Sequence, residues 1–76
     1  MLMLTGRKTL VFTFENGNEI AHFLADDVDA KELLNALFER WSKMNDDNIV
    51  SLTDLGIDLV VDFYSVCSIR QETRYA

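Results

Sequence analysis

The chain has 76 residues, of which 13 are acidic and 7 are basic, so its net charge is −6, and 49% of its residues are apolar. This length predicts one small domain over residues 1–76, close to the size at which a single core still holds without disulfides or metal. With nearly half of its residues apolar, the chain does not lack the hydrophobic groups that a folded core needs. The single cysteine, Cys67, excludes an intrachain disulfide and favours a reducing, cytoplasmic location.

Acidic residues dominate the middle of the sequence. Between Glu15 and Asp62 there are twelve acids and three bases, a local balance of −9. Such a surface disfavours direct nucleic-acid binding, which needs clustered lysine and arginine. It would suit a basic protein partner, and the simpler alternative is that the acids keep a small protein soluble. We expect no signal peptide and no membrane partner, since no apolar run is long enough to span a bilayer.

Two strands joined by a tight turn are predicted in the first third of the chain. Leu10, Phe12 and Phe14 alternate with smaller residues, which is typical of a strand over residues 8–14. The sequence Glu-Asn-Gly-Asn at 15–18 then predicts a hairpin turn, because Asn and Gly tolerate positive φ. Residues 19–25 return as the second strand.

The register of this hairpin has two solutions. A two-residue turn places Phe12 opposite Ala21, whereas a three-residue loop with Gly17 as the bulge residue places Phe12 opposite Ile20. In either register, apolar side chains remain on the face turned away from the helix described below: Val11 with Ile20 and Leu24, or Val11 with Ala21 and Phe23. An antiparallel sheet that met water on that face would alternate more cleanly.

The surplus of apolar residues on this face has two interpretations. Either another copy of the chain covers the face, or the residues are scattered surface hydrophobes of the ordinary kind. Tyr64, in a predicted bend between strands, is a further aromatic residue of the kind that anchors a partner. The candidate interface residues of a homo-oligomer are therefore Val11, Ile20, Phe23 and Tyr64.

An amphipathic helix over residues 27–44 is the clearest predicted element. Asp29 is its predicted N-cap, Glu32 completes a capping box, and Glu39 with Lys43 forms an i, i+4 ion pair. Its apolar side chains recur at three- and four-residue spacing on one face, namely Ala30, Leu33, Leu34, Leu37, Phe38, Trp41 and Met44.

Short strands are predicted after the helix, over residues 49–53, 57–63 and 66–71. A turn at 54–56 and a bend at 64–65 separate them, and we expect residues 72–76 to fray. The order of elements predicts an α+β fold, a two-layer ββαββ(β) domain with one amphipathic helix packed on an antiparallel or mixed sheet.

No residue pattern predicts a catalytic, cofactor-binding or metal site. Asp58 and Asp62 share one face of a predicted strand, but about 13 Å separates them, which is too far to share an ion. Cys67 and His22 are the only thiol and the only imidazole, and no local motif supports thiol catalysis. The chain is therefore predicted to be non-enzymatic, with no cofactor and no metal.

Three segments, TLVFTFENGNEIAHF, NIVSL and LVVDFYSVCSIRQE, resemble those of small strand–strand–helix–strand–strand proteins common in bacteria and their phages. Members of this loose group are largely without an assigned activity, so the resemblance implies a bacterial or phage origin and no site. The function predicted is a small acidic protein–protein interaction module that forms homo-oligomers. The alternatives are a phage-type inhibitor that mimics nucleic acid toward a basic host protein, and a small enzyme or enzyme subunit that uses Cys67.

Overall fold

The structure of the protein is a computed structural model that describes residues 6–43 and 49–75. One helix and five strands follow in the predicted order, and the helix packs on antiparallel sheet, so the predicted α+β class is confirmed. The elements are β1 (Gly6–Phe14), β2 (Glu19–Phe23), α1 (Ala30–Ser42), β3 (Ile49–Ser51), a 3₁₀ turn (Thr53–Leu55), β4 (Val60–Asp62) and β5 (Val66–Tyr75).

The strands form two sheets rather than one. β1 lies in the centre of a three-stranded sheet of order β2-β1-β5, and β3 and β4 form a separate two-stranded hairpin. Every pairing is antiparallel. The last described strand, β5, therefore pairs with the first, β1. This pairing decides which side chains lie on each face of the three-stranded sheet.

The first hairpin adopts the three-residue loop. Phe12 lies opposite Ile20 and Leu10 lies opposite His22. The Phe14 N–H donates to the carbonyl of Asn18 at 2.8 Å, which closes the loop over residues 15–17. Gly17 has φ of 86°, a left-handed conformation that glycine adopts without steric cost. Val11 therefore shares its face with Ala21 and Phe23, as the second of the two registers predicts.

The helix begins at Ala30, three residues after the predicted start at 27, and ends at Ser42 with Lys43 as its C-cap. Asp29 caps it by accepting hydrogen bonds from the backbone N–H groups of Lys31 at 3.1 Å and Glu32 at 3.2 Å. Lys43 donates to Glu39 at 2.7 Å, the expected i, i+4 pair. The buried stripe is narrower than the sequence predicts, because Phe38 remains 43% exposed; the prediction for Met44 lies outside the described residues.

One apolar core fills the space between α1, the helix-facing side of the three-stranded sheet and the β3–β4 hairpin. This core has eleven buried members, of which the helix supplies two and the strands with their connections supply nine. Its buried members are Leu10, Phe12, Leu24, Leu33, Leu37, Leu52, Ile57, Val61, Phe63, Val66 and Ile69.

The last strand is longer than predicted. Residues 72–75, expected to fray, pair with the start of β1, and Tyr75 lies opposite Gly6. A bulge at Cys67 shifts the register, since Thr13 pairs with Ser68 while Phe14 pairs with Val66. The strand predicted over 57–63 is shorter, and only its residues 60–62 pair with β3.

Candidate interaction surface

The side of the three-stranded sheet that faces away from the helix carries most of the chain's arginine. We call it the charged face. Because side chains alternate along each strand and paired residues share a face, its members follow directly from the register. They are Arg7, Thr9, Val11 and Thr13 of β1, Glu19, Ala21 and Phe23 of β2, and Ser68, Arg70, Glu72 and Arg74 of β5.

Val11 lies at the centre of the charged face and is fully buried. It is not part of the apolar core on the other side of the sheet. Arg70, paired with Val11, crosses β1 and donates to Thr13 Oγ1 at 2.7 Å on its way to Glu19. The stems of long arginine side chains readily cover apolar groups in this way. The prediction of Val11 as an interface residue is therefore corrected, because its own chain already covers it.

Four charged side chains on this face form a closed ring of ion pairs, the ion-pair ring. Arg74 contacts Glu19 at 2.7 Å and Glu72 at 2.5 Å. Arg70 contacts the same two carboxylates at 3.3 Å and 3.2 Å. Each arginine thus bridges both glutamates, an arrangement that stabilises more than the isolated surface pair, which contributes little.

The ion-pair ring shows that the sheet curls toward the charged face. Arg74 pairs with Arg7 and Glu19 pairs with Thr13, six positions apart along β1. On a straight strand six positions span about 20 Å, more than these two side chains reach together. Twist and curl must therefore bring the two ends of the face together over Val11.

Both glutamates of the ion-pair ring are more acidic than usual. The hydrogen bond from Arg74, above all, holds the pKa of Glu19 below its ordinary value of 4.5. Hydrogen bonds from Arg74 and then Arg70 lower the pKa of Glu72 in the same way. A depressed folded-state pKa contributes stability that is fully present above the ordinary value and is lost as the pH falls through the lowered value.

We therefore expect the free energy of unfolding to fall as the pH is lowered from about 5, with the unfolded chain binding up to two more protons than the folded chain from this pair alone. Urea unfolding at a series of pH values measures this slope. The Glu19→Gln/Glu72→Gln double variant should show a flatter slope, because both titrating groups are gone. Asp54 and Glu39, whose pKa values are also lowered, stay in both proteins and cancel in the comparison. The same slope in the wild type and in the double variant would contradict the ion pairs of the ion-pair ring.

Two of the predicted interface residues lie on the exposed strand β2. Ile20 is 36% exposed and Phe23 is 44% exposed. They point to opposite faces, because Ile20 pairs with Phe12 on the core side and Phe23 pairs with Thr9 on the charged face. The Arg7 guanidinium stacks over the Phe23 ring, 4.2 Å from its centroid, a cation–π contact that the sequence pattern did not indicate.

Tyr64, the remaining predicted interface residue, lies in the turn between β4 and β5. Asp62 shapes this turn by accepting hydrogen bonds from the Tyr64 N–H and the Ser65 hydroxyl, both at 3.1 Å. The Glu15 N–H donates to the carbonyl of Ser65 at 2.8 Å, which joins the turn to the first hairpin. The turn and Ile20 line one open depression of about 480 Å³. The structure thus brings Ile20 and the turn of Tyr64 together and leaves Phe23 and Val11 on the other face.

The residues considered for catalysis do not meet. Cys67 is exposed at the bulge of β5, and His22 lies on β2. β1 runs between these strands, so their backbones are at least roughly 9 Å apart across the sheet. Asp62 shapes its turn while Asp58 is exposed. Within residues 6–43 and 49–75, no group of three or more His, Cys, Asp or Glu side chains is placed to hold a metal ion.

The charge of the described residues differs between the charged face and the rest of the molecule. The charged face carries three arginines and two glutamates, a balance of +1, while the described residues outside it include four bases and nine acids, a balance of −5. Lys8 holds the acidic segment before α1 by donating to the carbonyls of Asp26 at 2.7 Å and Val28 at 2.6 Å. On the same side, Arg40 binds Asp54 through two bonds of 2.9 and 2.6 Å, which raises the pKa of Arg40.

No protein-family model, curated protein or solved structure matches this chain. The resemblance to small bacterial and phage proteins therefore stays a prediction. Over the residues that the structure describes, no helix is long and apolar enough to cross a membrane.

Proposed function

We propose that this protein is a small, acidic, non-enzymatic interaction module that assembles with copies of itself, encoded by a bacterium or a phage and acting in the cytoplasm. The observation that carries the proposal is the exposure of β2, a strand at the edge of the main sheet. Four of its five residues are exposed, including one large apolar side chain on each face. Soluble proteins normally shorten, charge or cover such an edge, so an open one favours pairing with another chain.

The solution mass tests this proposal. We expect light scattering to give a mass above that of the monomer that decreases on dilution. Replacing Ile20 and Phe23 together by aspartate should give a monomer at every concentration. Val60→Asp is the matched control, because Val60 is 63% exposed on the separate β3–β4 hairpin and its replacement should leave the mass unchanged. A wild-type monomer across the whole concentration range would overturn self-assembly.

A second candidate function rests on the separation of charge. The described residues outside the charged face carry −5, and an acidic surface of this kind resembles the phosphates of a nucleic acid that a basic host protein would bind. An inhibitor of this kind should bind a basic nucleic-acid-binding protein with an affinity that falls steeply with salt, and duplex DNA should compete with it. Binding that does not respond to salt would count against this role.

A further inference from the structure

The outer edge of β2 is an open row of backbone hydrogen-bonding groups. The Leu24 N–H donates to the carbonyl of Lys8 at 2.9 Å, so the even-numbered residues of this segment turn their backbone groups toward β1. Since the direction alternates along an antiparallel strand, the outward N–H and C=O groups belong to Glu19, Ala21 and Phe23. Within the described ranges these groups bond to no other backbone.

This edge lacks the features that usually prevent strand addition. β2 has one charged residue, Glu19, and neither a proline nor a bulge in its pairing with β1. The other edge of the sheet differs, because β5 carries a bulge at Cys67 and three charged residues, Arg70, Glu72 and Arg74. The contrast identifies β2 as the edge that is open to a further strand.

We propose that β2 of a second copy of this chain occupies the edge, in an antiparallel pairing with a twofold axis at Ala21. This inference rests on the proposed self-assembly and specifies its surface. Ala21 then lies opposite Ala21, and Glu19 lies opposite Phe23 of the second copy. In this register the backbone N–H and C=O groups of Glu19, Ala21 and Phe23 all form hydrogen bonds with the second copy. The small side chain of Ala21 at the axis lets the two backbones approach. The result is a continuous six-stranded sheet across the dimer.

Charge complementarity selects the second copy as the occupant. Arg7 stacks on Phe23 and forms no ion pair with any described residue. The register places Glu19 of one copy beside Phe23 of the other, and therefore beside its Arg7. The twofold axis repeats this contact, so two carboxylates each gain a guanidinium across the interface. An unrelated strand would not carry both an acid at the position of Glu19 and, four residues later, an aromatic residue stacked under an arginine, as Phe23 is under Arg7.

Proline substitution tests the edge directly. Ala21→Pro removes an N–H that points outward, so the pairing with β1 is retained while the pairing with a second copy is blocked. We expect this variant to be a monomer by light scattering at concentrations where the wild type is a dimer. Thr73→Pro is the matched control, because the Thr73 N–H also points outward but on the β5 edge, and this variant should remain a dimer.

Disulfide trapping tests the register without relying on proline. In a Cys67→Ser background, Ala21→Cys places two thiols across the axis with Cα atoms about 5.5 Å apart, a separation that a disulfide spans. Mild oxidation should convert this variant to a covalent dimer, while Thr73→Cys in the same background stays monomeric on a non-reducing gel. Arg7→Glu should raise the dimer dissociation constant at least about tenfold, since two symmetric contacts become repulsive.

The outcomes separate this inference from the proposed function. A dimer that survives Ala21→Pro, or that dissociates only in Thr73→Pro, overturns the β2 pairing and leaves self-assembly standing. A crosslink at Thr73 in place of Ala21 does the same. A wild-type chain that is monomeric at all concentrations, with no crosslink at either position, overturns both.

Discussion

Phe12→Ala is expected to reduce the free energy of unfolding by about 3–5 kcal/mol. Phe12 lies on the central strand β1 and is fully buried in the core, so loss of its ring leaves a cavity between the sheet and the elements packed on it. A domain of this size has a total stability of roughly 4–11 kcal/mol, so the variant should lose about a quarter of its stability or more. Urea unfolding followed by circular dichroism measures the change.

Phe38→Ala is the matched control for this experiment. It removes the same atoms from a ring that is 43% exposed on the outer side of α1, and it should cost about 1 kcal/mol. If Phe38→Ala destabilised the protein as much as Phe12→Ala, the helix would be rotated relative to the packing described above, with Phe38 directed into the core.

Ending the chain at Gln71 is expected to lower the melting temperature by at least about 10 °C. Residues 72–75 pair with residues 6–9, and they supply two of the four members of the ion-pair ring. Their removal leaves backbone groups of β1 without partners and uncovers Thr9, which is fully buried in the intact sheet. Thermal unfolding by circular dichroism or calorimetry would follow the loss.

The full-length Glu72→Gln/Arg74→Gln variant separates the two causes in this experiment. It keeps the backbone of β5 and removes the ion pairs, so its melting temperature should fall much less than that of the truncated chain. If the truncated chain had the same melting temperature as the wild type, residues 72–75 would not pair with β1. They would instead fray, as their composition suggests.

Local patterns predicted the elements whose partners are near in sequence. The alternation of Leu10, Phe12 and Phe14 and the turn ending at Gly17 predicted the first hairpin, although two registers remained open. The cap at Asp29 and the helical spacing of Leu33 and Leu37 predicted α1. The residues that form each of these signals lie within a few positions of each other, and periodicity and turn preferences are informative only over such short distances.

The last strand and the cover over Val11 depend on contacts between distant residues. Arg70, Glu72 and Arg74 alternate with period two, as strand residues on one face do, but their charge favours a solvated tail when the strand beside them is unknown. Only the pairing of β5 with β1 shows that these side chains cross Val11 and meet Glu19. Val11, Ala21 and Phe23 share this face, as one of the two predicted registers has it, but the cover over Val11 could not be predicted because the sheet order cannot be obtained from local pattern.

The central position of β1 also has a consequence for the order of folding. Its partners in β2 are close in sequence, whereas its partners in β5 are distant: Thr13 pairs with Ser68, and Gly6 pairs with Tyr75. Such non-local pairing slows folding, because a long loop must close before any contact forms. During synthesis the first hairpin can form early, but the β5-facing edge of β1 stays open and Val11 stays exposed to water until β5 has been made. The ion-pair ring is therefore among the last contacts made, and the newly made chain is most prone to aggregation while it is incomplete.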